Sequence, residues 1–292
     1  MAKTAILTDS NSGITSKQAE ELGVSVLPMP VYINDKLYFE DVTLSQEQFY
    51  EFLERGVEVK TSQPSPADVM EKWDELLKEY DEIVHIPMSS GLSSTCENAI
   101  VLARDDAYAG KVFVVDNQRI SVTMMQSVLD AKALADAGKS GREIQELLEE
   151  TKFDSSIYIS VDTMEYLKKG GRVTAAAAGL ATILNIKPVL QIQGGKLDQY
   201  AKVRGMKSAK REMIKAMRED FDGRFRHFDE QGKMRLFVAY TKDRTESLSF
   251  IEDIKKAFPN ADYEIISAPL SLSVSCHIGP GSLAIACSRV LA

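Results

Sequence analysis

Short apolar runs alternate with stretches of helical period along most of this chain. "TAILT" (4–8) is an apolar run that breaks into the polar "DSNSG" (9–13), a strand running into a turn. "TSKQAEEL" (15–22) then reads as a short helix, and "VSVLPMPVYI" (24–33) as a strand interrupted by prolines. "SQEQFYEFLERG" opens on Ser45 and Gln48 at capping-box spacing and closes on Gly56. In "SPADVMEKWDELLKEY", Ser65 caps and Pro66 occupies the first helical position. Val69, Trp73, Leu76, Leu77 and Tyr80 form one apolar stripe. "EIVHI" (82–86) and "KVFVV" (111–115) are uninterrupted apolar runs, and helices are expected through Arg104, near 121–136 and at 141–151. Unbroken apolar strands alternating with helices predict a parallel sheet covered on both faces.

After residue 154 the pattern changes. "SSIYISVD" (155–162) predicts a strand, "TMEYLKKGGRV" a helical turn ending in a glycine pair, and "TAAAAGLATILN" a helix of small residues. Two alternating runs joined at Gly194-Gly195 predict a hairpin. "SAKREMIKAMRED" and "TESLSFIEDIKKAF" read as helices, and "RLFVAYT" and "DYEIISAP" as strands. "CHIGPGSLAIAC" reads as a turn into a last strand, and "FDGRFRHFDEQGK" (221–233) as a surface loop. The expected fold is α/β in two domains. Residues 1–154 form an N-terminal domain with a parallel sheet, and residues 155–292 a C-terminal domain with a mixed sheet.

At 292 residues the chain is long for a single core, which agrees with two domains. A net charge of −8 argues against nucleic acid and against tight docking on anionic lipid. Cys96, Cys276 and Cys287 have no metal-ligand spacing and read as reduced thiols of a cytoplasmic chain. No signal peptide and no run of about 18 apolar residues is evident.

The chemistry concentrates in loops. "MSSGLSST" (88–95) carries five hydroxyls at the end of a buried strand and the start of a helix. A helix start there offers free N–H groups and partial positive charge, to which Ser93, Ser94 or Thr95 add donors suited to an anion. "TSQPSP" (61–66) places Thr61 and Ser62 in a second hydroxyl loop, and "DSNSG" is a third. These loops are expected to converge on one edge of the sheet. In "CHIGPG" (276–281) His277 precedes two glycines that permit close approach of a ligand. In "KKGGR" (168–172) Arg172 is a fork for carboxylate or phosphate. Plain readings stand beside these: a single helix cap, an ordinary turn, a surface arginine. His85 is expected to be a core residue with its ring hydrogen-bonded, and His227 to be solvated. Phosphate-loop, dinucleotide-binding, HExxH and CxxC patterns are absent. "GLSST" lacks the second glycine of a nucleophile elbow because Thr95 stands there, which weakens a hydrolase built on Ser93 and His277.

Taken in order, "TDS", "TSQPS", "SSGLSST", "DTMEYLKKGGRV", "NIKPVLQ" and "HIGPG" resemble the DegV proteins over nearly the whole chain. The resemblance implies two α/β domains with a long-chain fatty acid buried between them. It also implies a lipid-binding subunit with no catalytic group, cofactor or metal of its own. Such a subunit presents its acyl chain to a separate ATP-dependent fatty acid kinase subunit that makes acyl phosphate, with transient membrane contact allowed. Carried over by position, the carboxylate contacts are Thr61, Ser62, Ser93, Ser94 and His277. Arg172 lies at the head-group rim or faces the kinase. Three positions depart from the family pattern: Ser94 and Ala284 replace usual glycines, and Gly13 replaces an aspartate. Burial of a ~16-carbon tail at ~0.8 kcal/mol per methylene contributes on the order of 10 kcal/mol before ordering costs, so the tail would supply most of the affinity. The small residues of "AAAAGLA" (175–181) either line that tail or simply allow close helix packing. The rival readings are an esterase with Ser93 as nucleophile, and a lipid carrier without a kinase partner.

Overall fold

A computed structural model describes residues 2–179 and 186–292. It divides into two compact units, Met1–Phe153 with Ala292, and Asp154–Leu291.

The first unit contains β1 (Thr4–Asp9), β2 (Ser25–Leu27), β3 (Pro30–Ile33), β4 (Lys36–Phe39), β5 (Val59–Thr61), β6 (Glu82–Ile86) and β7 (Val112–Val114). Four of these form a sheet in the order β2-β1-β6-β7, and every pairing in it is parallel. Leu7, Ile83, Val112 and Val114 pack on one face with Trp73, Val69 and Leu76 of helix Pro66–Leu76 and Cys96 and Ala99 of helix Thr95–Leu102. Ile6 and Val84 alternate to the opposite face, where helices Ser121–Asp136 and Gly141–Glu150 lie. Because both faces are covered, the strands read as continuous apolar runs.

The helix starts follow their sequence signals. Ser45 with Gln48, and Ser65 with Asp68, each close a reciprocal capping box. The prolines of "VLPMPV" do more than interrupt one strand. They end β2, which belongs to the parallel sheet, and open β3, which belongs to a separate antiparallel sheet in the order β4-β3-β5. That small sheet is absent from the sequence reading. Its signal was the two-residue turn Asn34-Asp35, where both residues have positive φ (48° and 61°), as tight hairpins require.

The second unit contains β8 (Ser155–Ser160), β9 (Lys187–Ile192), β10 (Asp198–Val203), β11 (Met234–Tyr240), β12 (Ile266–Pro269) and β13 (Leu283–Arg289). Their order is β10-β9-β8-β13-β11-β12. Only β11 and β12 pair in parallel, so the sheet is mixed. Met213, Met217 and Phe221 of helix Met206–Asp222, with Phe250 and Ile254 of helix Arg244–Ala257, pack on Tyr158, Leu236, Val238, Leu283 and Ile285.

Several expectations change here. Residues 221–233 are not a plain surface loop. Phe221 and Phe225 are buried and a turn of helix spans Arg226–Asp229, although His227 is exposed as expected. Aromatic residues four apart carried that information beneath a polar majority. "CHIGPG" does not begin as a turn: helix Leu272–Ile278 ends at Gly279, so His277 lies in a last helical turn. Of "TAAAAGLATILN", helix Ala175–Ala178 is seen with Ala177 buried, and residues 180–185 lie outside the described ones.

His85 corrects a further expectation. It is fully buried, but neither ring nitrogen has a hydrogen-bond partner among the described residues, and Trp73 Nε1 has none either. The two rings meet edge to face at 5.7 Å between centroids. Burial drives the imidazole pKa down to about 3, so the ring is neutral. Because the folded pKa lies below the unfolded one near 6.5, this titration leaves stability unaffected above pH 6.5 and lowers it as pH falls toward 3. His85→Phe relieves buried polar atoms of unmet hydrogen bonds and is expected to stabilise the first unit by about 1–3 kcal/mol at pH 7. That advantage should grow as pH falls from 6.5, approaching the one-proton slope of about 1.4 kcal/mol per pH unit. Paired urea titrations at pH 7 and pH 5 measure it, and a constant difference between variants would refute the account.

Candidate functional site

The polar elements of the first unit are built from the carboxyl ends of its parallel strands. β1 ends at Asp9, which is fully buried. One carboxylate oxygen accepts from Asn11 N (2.9 Å) and Asn11 Nδ2 (2.8 Å), and the other accepts from Met88 N (2.9 Å), just past the end of β6. Asp9 therefore ties the "DSNSG" turn to the start of the "MSSGLSST" loop. Desolvation raises its pKa to about 6 against the lowering effect of these donors. Ser10, Asn11 and Ser12 are buried too, and Ser10 Oγ accepts from Met29 N at 3.1 Å. The sequence singled out this loop but not its aspartate as the hub. The signal was a charge in the last position of an otherwise apolar strand. Gly13 takes a left-handed conformation (φ 74°) as the cap of the turn, a position that suits glycine better than aspartate.

The five hydroxyls at 88–95 divide among different tasks. Ser89 is buried, with its backbone N–H given to Arg119 O. Ser90 Oγ donates to Asp116 Oδ2 at 2.7 Å. Ser93 Oγ shares a 2.8 Å hydrogen bond with the buried Thr95 Oγ1 and accepts from Thr95 N at 3.3 Å. Ser94 is the N-cap residue of helix Thr95–Leu102, yet its side chain makes no capping bond and is exposed. An accessible hydroxyl thus stands at an incompletely capped helix start, beside a half-buried Ser93.

Thr61 and Ser62 reach this neighbourhood by another route. Their loop does not end a strand of the parallel sheet, so the expected three-loop convergence on one sheet edge holds for two loops. Thr61 ends β5 of the antiparallel sheet, and Ser62 N donates to Pro30 O. Contact with the hydroxyl-loop helix comes from Asn98 Nδ2 to Gln63 Oε1 at 2.9 Å. Thr61 is half-buried and Ser62 exposed.

The second unit holds His277 and Arg172. Helix Glu165–Gly170 packs on helix Leu272–Ile278, and glycines allow the approach. A methyl group on Gly170 would lie 2.5 Å from His277 Nδ1, and one on Gly279 would run into the Tyr166 ring. Arg172 donates through Nη1 to Gly170 O, at the carbonyl end of the same helix. Burial and, second, the Arg172 charge lower the His277 pKa to about 4, so its ring is neutral at pH 7. Burial also raises the neighbouring Cys276 thiol to about 11, leaving it protonated. Ala284 lies inside β13 on the face opposite the Leu283–Ile285 core.

A model of an uncharacterised-protein family, the DegV family, matches residues 3–290. A DegV domain-containing protein of Deinococcus radiodurans is 32% identical over 288 residues, covering 97% of each chain. The fold is similar to that of a DegV family protein from Thermus thermophilus solved for its fatty acid binding. That match has 29% identity and a TM-score of 0.87, and covers 99% of this chain and 100% of the other. It is also similar to DegV of Bacillus subtilis, described as a fatty acid binding protein, at 26% identity and a TM-score of 0.84, with coverage of 99% and 100%.

The interlock around Gly170 gives a direct test. Gly170→Ala should push the His277 ring from its place and destabilise the second unit by about 1–3 kcal/mol, as overpacking does. Proton NMR of the His277 ring should show its pKa moving from about 4 toward the ordinary value near 6.5 as burial is lost. An unchanged titration in a folded variant would contradict the packing described.

Proposed function

The chain belongs to the DegV family, and we propose that it binds a long-chain fatty acid and presents it to a separate ATP-dependent kinase subunit for acyl phosphate formation. The observation that carries the lipid-binding part is the near-complete structural match to the fatty-acid-binding Thermus thermophilus protein. The polar elements are consistent with it. Ser94 offers an unused hydroxyl at a helix start, Ser93 lies beside it, and Thr61 and Ser62 stand on the loop joined to that helix by Gln63 and Asn98. In the proposal these four side chains receive the carboxylate. His277 is a further contact, suited to it because a neutral imidazole donates one N–H.

The same details weigh against an esterase. A serine nucleophile needs a base within hydrogen-bond reach. The Ser93 hydroxyl is instead engaged by the hydroxyl and the N–H of Thr95. Among the described residues no helix is long and apolar enough to cross a membrane. Arg172 has the role of meeting phosphate or the kinase, since it is half-buried and anchored through one guanidinium nitrogen to Gly170 O.

Two measurements test the proposal. Native mass spectrometry of the purified protein, followed by denaturation and lipid extraction, should show one fatty acid per chain. Ser93→Ala should weaken fatty acid binding roughly 10- to 100-fold, the equivalent of one hydrogen bond to a charged group at about 1.5–3 kcal/mol. Absence of fatty acid in extracts together with no uptake of added palmitate would end the lipid-binding reading. A covalent acyl adduct on Ser93 would favour the hydrolase instead.

The kinase part is tested with Arg172→Ala. This variant should retain bound lipid but lose acyl phosphate formation with a kinase subunit and ATP. Parallel loss of lipid would make Arg172 a plain ligand contact. Full transfer by the variant would remove it from the presentation step. Bound lipid with no phosphate transfer even by the unaltered chain would favour a carrier without a kinase partner.

A further inference from the structure

Helix Ser121–Asp136 begins in an unusual way. Its first three residues, Ser121, Val122 and Thr123, are 5%, 1% and 1% exposed. Its N-cap residue is Ile120, which has no side chain able to cap. The backbone N–H groups of those three residues find no acceptor among the described residues. The Thr123 hydroxyl turns away to Ile120 O, and the next N–H, from Met124, reaches Ile120 O only at 3.5 Å. A buried helix start without partners is costly, since each unmet buried group forfeits about 1–3 kcal/mol.

The side chain at this helix start is unpartnered as well. Ser121 Oγ is buried and makes no hydrogen bond. Ser121 holds a positive φ of 55°, and Gln118, earlier in the same connection, one of 48°. Asn117, fully buried in that connection, uses Nδ2 on Pro87 O but leaves Oδ1 without a partner. The connection 115–121 runs beside the hydroxyl loop, to which it is tied by Ser89 N to Arg119 O. Helices that begin at the carboxyl edge of a parallel sheet stand where such folds take ligands.

We propose that Ser121 and the free N–H groups at the start of helix Ser121–Asp136 form a second oxyanion site in the first unit, taking a carboxylate or phosphate group. Three N–H donors without acceptors among the described residues, a buried hydroxyl and the positive end of a 16-residue helix match that chemistry. The same oxygens could be delivered by the head group of a fatty acid or by free inorganic phosphate. The lipid source rests on the fatty-acid reading given above, and the phosphate source does not.

The test uses the full chain, 15N-labelled and delipidated, with the Ser121, Val122 and Thr123 amides followed by NMR. It is titrated separately with inorganic phosphate and with palmitate. Saturable shifts at these three amides with either probe support the site, and the probe that produces them identifies the source. Ser121→Gly removes the hydroxyl while accommodating the positive φ, so it should fold. It should weaken the effective probe about tenfold, and Ser121→Ala serves as the second variant. No shift at residues 121–123 with either probe, in a protein that takes up palmitate stoichiometrically, overturns the site and leaves the lipid-binding function standing. Phosphate-dependent shifts in a protein that takes up no fatty acid would do the reverse.

Discussion

The first unit depends on one buried carboxylate. Asp9 stands where β1 leaves the sheet and is shut off from water, yet its oxygens satisfy three N–H donors, two of them on Asn11 and one at Met88. The two central strands are thereby fixed at their carboxyl ends, where the turn after β1 and the hydroxyl loop after β6 begin. Removing the carboxylate would leave those donors unmet in a region without water, a loss larger than that of any one surface bond. The hydroxyls of Ser93 and Ser94 have a defined position because the loop that carries them starts from this anchor.

In the second unit the corresponding constraint is close approach. Gly170 and Gly279 let two short helices come within the width of a side chain, and that proximity buries the His277 ring and sets the Arg172 charge near it. Burial and charge act in the same direction and keep the imidazole neutral. A neutral ring is a directional donor and acceptor, whereas an imidazolium would be a point charge with a desolvation cost. The glycines of "KKGGR" and "HIGPG" thus belong to one packing device, although about a hundred residues separate them in the chain.

Among the described residues of the first unit, the unmet hydrogen bonds at His85 and Trp73 differ in kind from those at the start of helix Ser121–Asp136. His85 and Trp73 sit within the apolar layer between sheet and helices, where the helices on that face already cover them. The start of helix Ser121–Asp136 lies instead at the carboxyl end of the sheet, beside the hydroxyl loop. Equal burial therefore has different consequences: in the core it costs stability, and at a sheet edge it leaves a receptor.

The sequence by itself determined the elements whose signals are local. Capping boxes at Ser45 and Ser65, the apolar runs of β6 and β7, and the Gly-Gly hairpin turn could be read because neighbours within four residues decide them. Motifs shared with the family also pointed to Thr61, Ser62, Ser93, Ser94, Arg172 and His277 as head-group residues. Tertiary structure alone decided what those residues experience. The prolines at 28 and 30 stand between strands of two different sheets, because β2 pairs with β1 whereas β3 pairs with β4 and β5. His277 fell on a helix that Ser271 caps locally and that packs against residues 165–170, a contact no local pattern displays. His85 lost its expected hydrogen bond because its surroundings are Trp73 and aliphatic side chains brought in from other elements. Local backbone preference is written over a few residues, whereas burial, hydrogen-bond satisfaction and pKa depend on atoms that only the folded chain brings within a few ångströms.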